Sequence, residues 1–202
     1  FLIAASRQSR SEMRSSMKIG ILAVQGAFAE HEQMLEQLGA EYIELRKGED
    51  VRQSYDGLIL PGGESTVQGK LMRELDMFDT IQSQIKNGMP VLATCAGAIL
   101  LAQQLSNDAA THLATLPAVV RRNAYGRQLG SFSVDEQIEG IGTFPMRFIR
   151  APYIEKVLDD TKVLAKVDGN IVMVENKNQL AMSFHPELTS DTRIHEMFLK
   201  KI

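Results

Sequence analysis

The sequence has little of what would take it outside the ordinary globular class. One residue in 202, Cys95, is a cysteine. No internal disulfide can form, a secreted disulfide framework is excluded, and a reducing, cytoplasmic setting is the expectation. Basic residues do not outnumber acidic ones: the formal charge is −3, with no local basic patch, which argues against nucleic acid as a partner. No stretch approaches the roughly 18 unbroken apolar residues of a spanning helix, so no membrane role is expected. The four histidines, His31, His112, His185 and His195, show no helical i, i+4 pairing. C-x-x-C is absent too, so no metal site is expected. Neither the full Walker pattern nor G-x-G-x-x-G occurs, which weakens any phosphate-loop reading. Internal repeats and low-complexity segments are also missing. What remains is 44% hydrophobic and 23% charged, the balance of a packed domain, at a length that suits one α/β domain and is short for two.

Residues 1–16, FLIAASRQSRSEMRSS, lack helical or strand periodicity. Their arginines follow an apolar run of only five residues, whereas an export signal puts positive charge ahead of a longer run. They are expected to be a disordered leader or tag, with 17–202 as the functional domain. From Met17 the chain reads KIGILAVQG and then FAEHEQMLEQL, in which Phe28, Met34, Leu35 and Leu38 share one helical face and Gly39 is the stop. His31 and His195 lie in polar helical surroundings and are expected to be solvated. DGLILPGG follows, then a helical stretch from about Ser65 to Asn87 that breaks near Asp76, then PVLATCAG leading into a helix through AILLAQQL. Continuous apolar runs ending in Gly and followed by helices argue for a parallel sheet buried on both faces. After about Leu116 short strand-like pieces dominate and add mixed or antiparallel strands, with DGN at 168–170 as a hairpin turn.

Cys95 ends the apolar strand PVLAT and is followed by Ala96, Gly97 and Ala98. Small residues let the backbone turn tightly at a strand-to-helix elbow, and a helix N-terminus favours a thiolate. A buried core thiol is the plain alternative for a lone cysteine; the elbow favours a nucleophile. A nucleophile needs a base. His185 leaves the strand QLAMSF, and in His-x-Glu strand alternation would put Glu187 on the same face, where it can orient the imidazole. PGGES, Pro61 to Ser65, also follows a strand and opens a helix, and its paired glycines leave the backbone free to aim an N–H at developing negative charge.

In order, VQG (24–26), LPGGEST (60–66), TCAGAILLA (94–102), RRNAYGRQ (121–128), FIRAP (148–152) and SFHPELT (183–189) resemble the glutaminase subunits of pyridoxal 5′-phosphate synthases, a subfamily of the triad-type class I glutamine amidotransferases. The resemblance runs from about Met17 to the end; only LATLPAVV at 113–120 departs from it. It implies a flavodoxin-like three-layer sandwich, mostly parallel, with helices on both faces and antiparallel strands added in the C-terminal half. It implies Cys95 as nucleophile, His185 as acid and base, Glu187 as orienter, and the N–H groups of Gly63 and Ala96 as oxyanion donors. Gly62, Gly63, Glu64, Ser65, Asn123, Arg127, Ile149, Arg150 and Ala151 would line the glutamine pocket, and Gln25 would support the oxyanion loop. The implied activity is hydrolysis of L-glutamine to L-glutamate and ammonia, without metal or organic cofactor. The implied partner is a (β/α)₈-barrel synthase subunit in a large hetero-oligomer. A glutaminase of another biosynthetic pair, such as the histidine-pathway synthase, would keep the triad motifs but lack RNAYGRQ with FIRAP. A non-catalytic module on the same fold would not need Cys95, His185 and Glu187 together.

Overall fold

The computed structural model describes residues 2–122 and 130–202. After helix α1 (Leu2–Ser16), the chain alternates through β1 (Lys18–Leu22), α2 (Phe28–Leu38), β2 (Glu41–Leu45), α3 (Gly48–Val51), β3 (Gly57–Leu60), α4 (Ser65–Glu74), α5 (Phe78–Lys86), β4 (Val91–Thr94) and α6 (Ala96–Leu101). Strands then take over: β5 (Ala102–Leu105), β6 (Leu116–Arg121), β7 (Ser131–Ile138), β8 (Gly142–Ile149), β9 (Tyr153–Val157), β10 (Lys162–Val167), β11 (Asn170–Asn176) and β12 (Gln179–Met182). A 3-10 turn, Pro186–Leu188, precedes the last helix, α7 (Arg193–Leu199).

The central sheet runs β2-β1-β3-β4-β12-β11-β9-β6-β5, with β10 beside β11. From β2 to β12 all neighbours are parallel; β11 and β9 then bring antiparallel pairing. Period-two side-chain alternation with both faces covered explains why the central parallel strands β3 and β4 read as apolar runs, while the edge strand β2, EYIEL, does not. Leu22, Leu58, Leu60, Val91, Ala93 and Ala181 face one core, with α4, α5 and α6 over it. Ile19, Ile21, Ile59, Leu92, Leu180 and Met182 face the other, under α2, α7 and the separate β7-β8 hairpin. The result is an α/β sandwich with helices on both faces and antiparallel strands added late in the chain. Among the described residues no helix is long and apolar enough to cross a membrane.

Two local readings differ from the structure and two agree with it. Residues read as a disordered leader form α1; the stretch has no Gly or Pro, and its Leu, Ala, Arg, Gln, Glu and Met residues favour a helix even without an apolar stripe. Arg14 at its end pairs with Glu196 of α7 at 3.3 Å. The helix expected through AILLAQQL stops at Leu101, because Ala102–Leu105 pairs in parallel with β6. The break near Asp76 is present: Asp76 takes a φ of 59° between α4 and α5. The DGN turn is likewise a two-residue hairpin, with Asp168 at φ 49° and Gly169 at φ 81°.

Candidate active site

Cys95 sits between β4 and α6 with φ 50° and ψ −105°, a conformation disfavoured for any residue with a Cβ. The turn is held on both sides. The Cys95 N–H donates to the Met182 carbonyl of β12 at 2.8 Å, and α6 starts so close to the end of β3 that a Cβ on Gly97 would lie 2.1 Å from the Leu60 carbonyl oxygen. The thiol faces the carbonyl of Ile149 at 3.8 Å. The Ala96 N–H is the first of a helix and so has no intrahelical partner.

His185 lies just beyond β12, where its N–H donates to the Arg147 carbonyl of β8 at 2.8 Å. Its ring meets Cys95 on one side and Glu187 on the other, with Nδ1 2.5 Å from Glu187 Oε1. Burial by itself would lower the imidazole pKa. Hydrogen bonds to Cys95 and Glu187, with the charge of both, outweigh that and push it up to about 10, so the ring is protonated at neutral pH. The pairing does not come from strand alternation as expected: β12 ends at Met182, and Pro186 opens a 3-10 turn that folds Glu187 back onto the imidazole.

Gly62 packs directly on this ring. A Cβ there would stand 2.3 Å from His185 Cε1. The Gly62 carbonyl accepts the Ala27 N–H at 3.0 Å, and the Glu64 N–H donates to Gln25 Oε1 at 2.8 Å, so the VQG segment braces PGGES. Gln68, which sequence reading passed over, ties the two loops: its amide N–H groups donate to the carbonyls of Gln25 and Pro61 at 3.1 and 3.2 Å. Its spacing from Ser65 and Met72 on the buried face of α4 was the available signal.

Of the remaining expected residues, Gly63 and Glu64 are exposed on the loop and Ser65 is buried in the first turn of α4. Ile149 borders the thiol through its carbonyl, Arg150 is exposed with φ 43°, and Ala151 is buried in the core. Asn123 and Arg127 lie outside the described residues.

His31 and His195 were expected to be solvated; both are fully buried. Each lies on the apolar face of its helix, His31 with Met34, Leu35 and Leu38, His195 with Ile194, Phe198 and Leu199. The 3.6-residue period carried that signal. Burial lowers the His195 pKa from 6.5 to about 4. The unfolded chain therefore takes up a proton that the folded chain refuses. The associated stability is fully present above pH 6.5 and is lost as pH falls through about 4, to a limit of about 3 kcal/mol. Urea unfolding of the parent and of His195→Gln between pH 7 and 4 should show the steeper loss in the parent; equal slopes would contradict the buried neutral state.

Among the described residues no group of three or more His, Cys, Asp or Glu side chains is arranged to hold a metal ion. Residues 21–202 match the model of the SNO glutamine amidotransferase family. A protein of Desulfitobacterium hafniense (strain DSM 10664 / DCB-2) named pyridoxal 5′-phosphate synthase subunit PdxT is 63% identical over 186 residues, covering 92% of this chain and 94% of that one. One of the same name from Streptococcus pneumoniae (strain CGSP14) is 52% identical over 91% of this chain and 96% of its own. A crystal structure described as a glutamine amidotransferase superposes with a TM-score of 0.86 at 43% identity, covering 91% of this chain and 97% of that one. PurLQS of Thermotoga maritima, at 18% identity and a TM-score of 0.62 over 91% of this chain and 98% of its own, shares the fold.

Proposed function

The chain belongs to the SNO glutamine amidotransferase family, and from that premise we infer that it is the glutaminase subunit of a pyridoxal 5′-phosphate synthase, releasing ammonia from L-glutamine for a synthase subunit. The observation that carries the chemistry is the buried His185–Glu187 pair set against Cys95 at its strained elbow. The Cys95 sulfur attacks the side-chain amide carbon of glutamine, and the tetrahedral oxyanion is received by the N–H groups of Gly63 and Ala96. As the C–N bond breaks, the His185 imidazolium gives its proton to the leaving nitrogen and ammonia departs. Neutral His185 then takes a proton from water attacking the γ-glutamyl thioester. The C–S bond breaks, L-glutamate leaves, and sulfur and imidazole return to their first state. Glu187 holds the ring in register and offsets its charge throughout. No step calls on a metal or organic cofactor.

Glu64, Ser65, Ile149, Arg150 and Ala151 border the glutamine pocket in this reading, where Arg suits the α-carboxylate and Glu the α-ammonium; the resemblance assigns Asn123 and Arg127, outside the described residues, to the same substrate. The synthase subunit is a (β/α)₈ barrel in a large hetero-oligomer, and the complex works in the cytoplasm. Docking of that subunit beside PGGES and Gln25 completes the oxyanion hole, so the isolated chain is slow. Ammonia and glutamate release from glutamine tests this: adding the synthase subunit should raise the rate by up to about 10²- to 10³-fold, the scale of one oxyanion donor. Absence of glutamine hydrolysis in the presence of the synthase subunit would overturn the reading.

A further inference from the structure

Glu187 uses only one of its oxygens on His185. Oε1 lies 2.5 Å from His185 Nδ1, whereas Oε2 is buried and makes no hydrogen bond among the described residues. A carboxylate with a bare, buried oxygen is costly, and nothing in the Oε1 contact alone stops it from turning about its last bond. What faces Oε2 is the His31 imidazole: Nε2 lies 3.6 Å from Oε2 and 3.3 Å from Thr94 Oγ1. On its other edge, His31 Nδ1 lies 2.9 Å from His195 Nε2. All three of these residues are fully buried, where α2 and α7 cross the end of β4.

The proton positions follow from the partners. Between His31 Nδ1 and His195 Nε2 one nitrogen donates and the other accepts. Were His31 the donor, its Nε2 lone pair would face the carboxylate, and His195 would be left with a buried N–H at Nδ1, which has no partner among the described residues. With His195 Nε2–H as donor, His31 carries its own proton on Nε2, aimed at Thr94 and Glu187, and the unpaired atom is only a lone pair, the cheaper group to bury. Burial, then the nearby His195 and His185, hold His31 well below its usual titration range. A neutral dipole therefore faces the carboxylate, and no second cation competes with His185. The titratable groups bearing on this cluster are Cys95, His185, Glu187, His31 and His195.

We propose that His31, oriented by His195, is a positioning residue of the Cys95 centre: its Nε2–H faces Glu187 Oε2 and keeps Oε1 on His185. The proposal deepens the glutaminase reading and rests on it for its kinetic consequence. His31→Leu removes the donor at similar bulk, and His31→Gln returns an amide N–H near the Nε2 position. Nitrogen-15 NMR on the full chain should show the His185 titration falling by at least about one pH unit in His31→Leu and by less in His31→Gln, because without the donor the carboxylate turns and Oε1 leaves the imidazolium. With the synthase subunit present, kcat for glutamine should fall about 10-fold or more in His31→Leu, with KM moved less and the alkaline limb shifted to lower pH. In a Glu187→Gln background His31→Leu should cost nothing further, since the link runs through that carboxylate. The unmodified chain gives a check that no folding defect can obscure: His31 and His195 should both be protonated at Nε2. A His31 protonated at Nδ1 would overturn the proposal, as would an unchanged His185 titration in folded His31→Leu or an equal loss with and without Glu187. Failure of the parent to hydrolyse glutamine would instead strike the glutaminase reading, leaving the tautomer and titration results to decide this one.

Discussion

Cys95→Ala is expected to abolish glutamine hydrolysis, on the order of 10⁴- to 10⁶-fold in kcat, while the chain still folds. In the proposed mechanism every covalent step passes through this sulfur, and the sequence holds no second cysteine to stand in for it. The fold does not depend on it: the elbow is held by the Cys95 N–H bond to Met182 and by the Gly97 contact with β3, and alanine keeps both. Cys95→Ser should be almost as inactive, because a hydroxyl in the same place is a far weaker nucleophile than a thiol. A glutamine-mimicking electrophile should label the parent at Cys95 and leave the alanine variant unlabelled. Ammonia release measured beside the thermal midpoint separates lost chemistry from lost structure, and normal turnover by the alanine variant would end the thioester mechanism.

Gly62→Ala is expected to cost about 10²-fold in kcat, the penalty of a reacting group displaced by about 1 Å. The added methyl would sit 2.3 Å from His185 Cε1 and 2.9 Å from Nδ1, too close for van der Waals contact, so either the ring or the loop must move. The ring is pinned by Glu187 and by the His185 N–H bond to Arg147, and the loop by Ala27, Gln25 and Gln68. Whichever gives way, the His185 ring and the Gly63 N–H lose their mutual placement. Overpacking of this kind also destabilises by about 1–3 kcal/mol. Rate and unfolding midpoint should therefore fall together. A variant with parental kcat would show that the gap between Gly62 and His185 is not what sets the site.

The parallel half of the sheet was legible because strands buried on both faces are apolar along nearly their whole length, as GLIL and PVLA are. The elbow at Cys95 was legible because small residues follow it at once, and such a turn is a local event. The His185–Glu187 contact was read correctly as a pair but for the wrong geometric reason, since Pro186 makes a turn where alternation had suggested a strand. His31 and His195 escaped because polarity was read from their sequence neighbours; on a helix the relevant neighbours are three and four residues away, and those are Met34, Leu35, Phe198 and Leu199. The helix at Leu2–Ser16 escaped for the opposite reason, having propensity without periodicity. Gln68 could be placed on a buried face from its spacing, but its bond to the Gln25 carbonyl, 43 residues away, is a tertiary fact that no local pattern carries.

In the proposed mechanism hydrolysis proceeds through a γ-glutamyl thioester on Cys95. Intact-mass spectrometry of acid-quenched chain, taken during turnover of glutamine with the synthase subunit present, tests it most directly. A fraction of the chain should be heavier by one γ-glutamyl group, located on the peptide containing Cys95 and absent from Cys95→Ala. Turnover with no such adduct at any quench time, or an adduct that persists in Cys95→Ala, would contradict it.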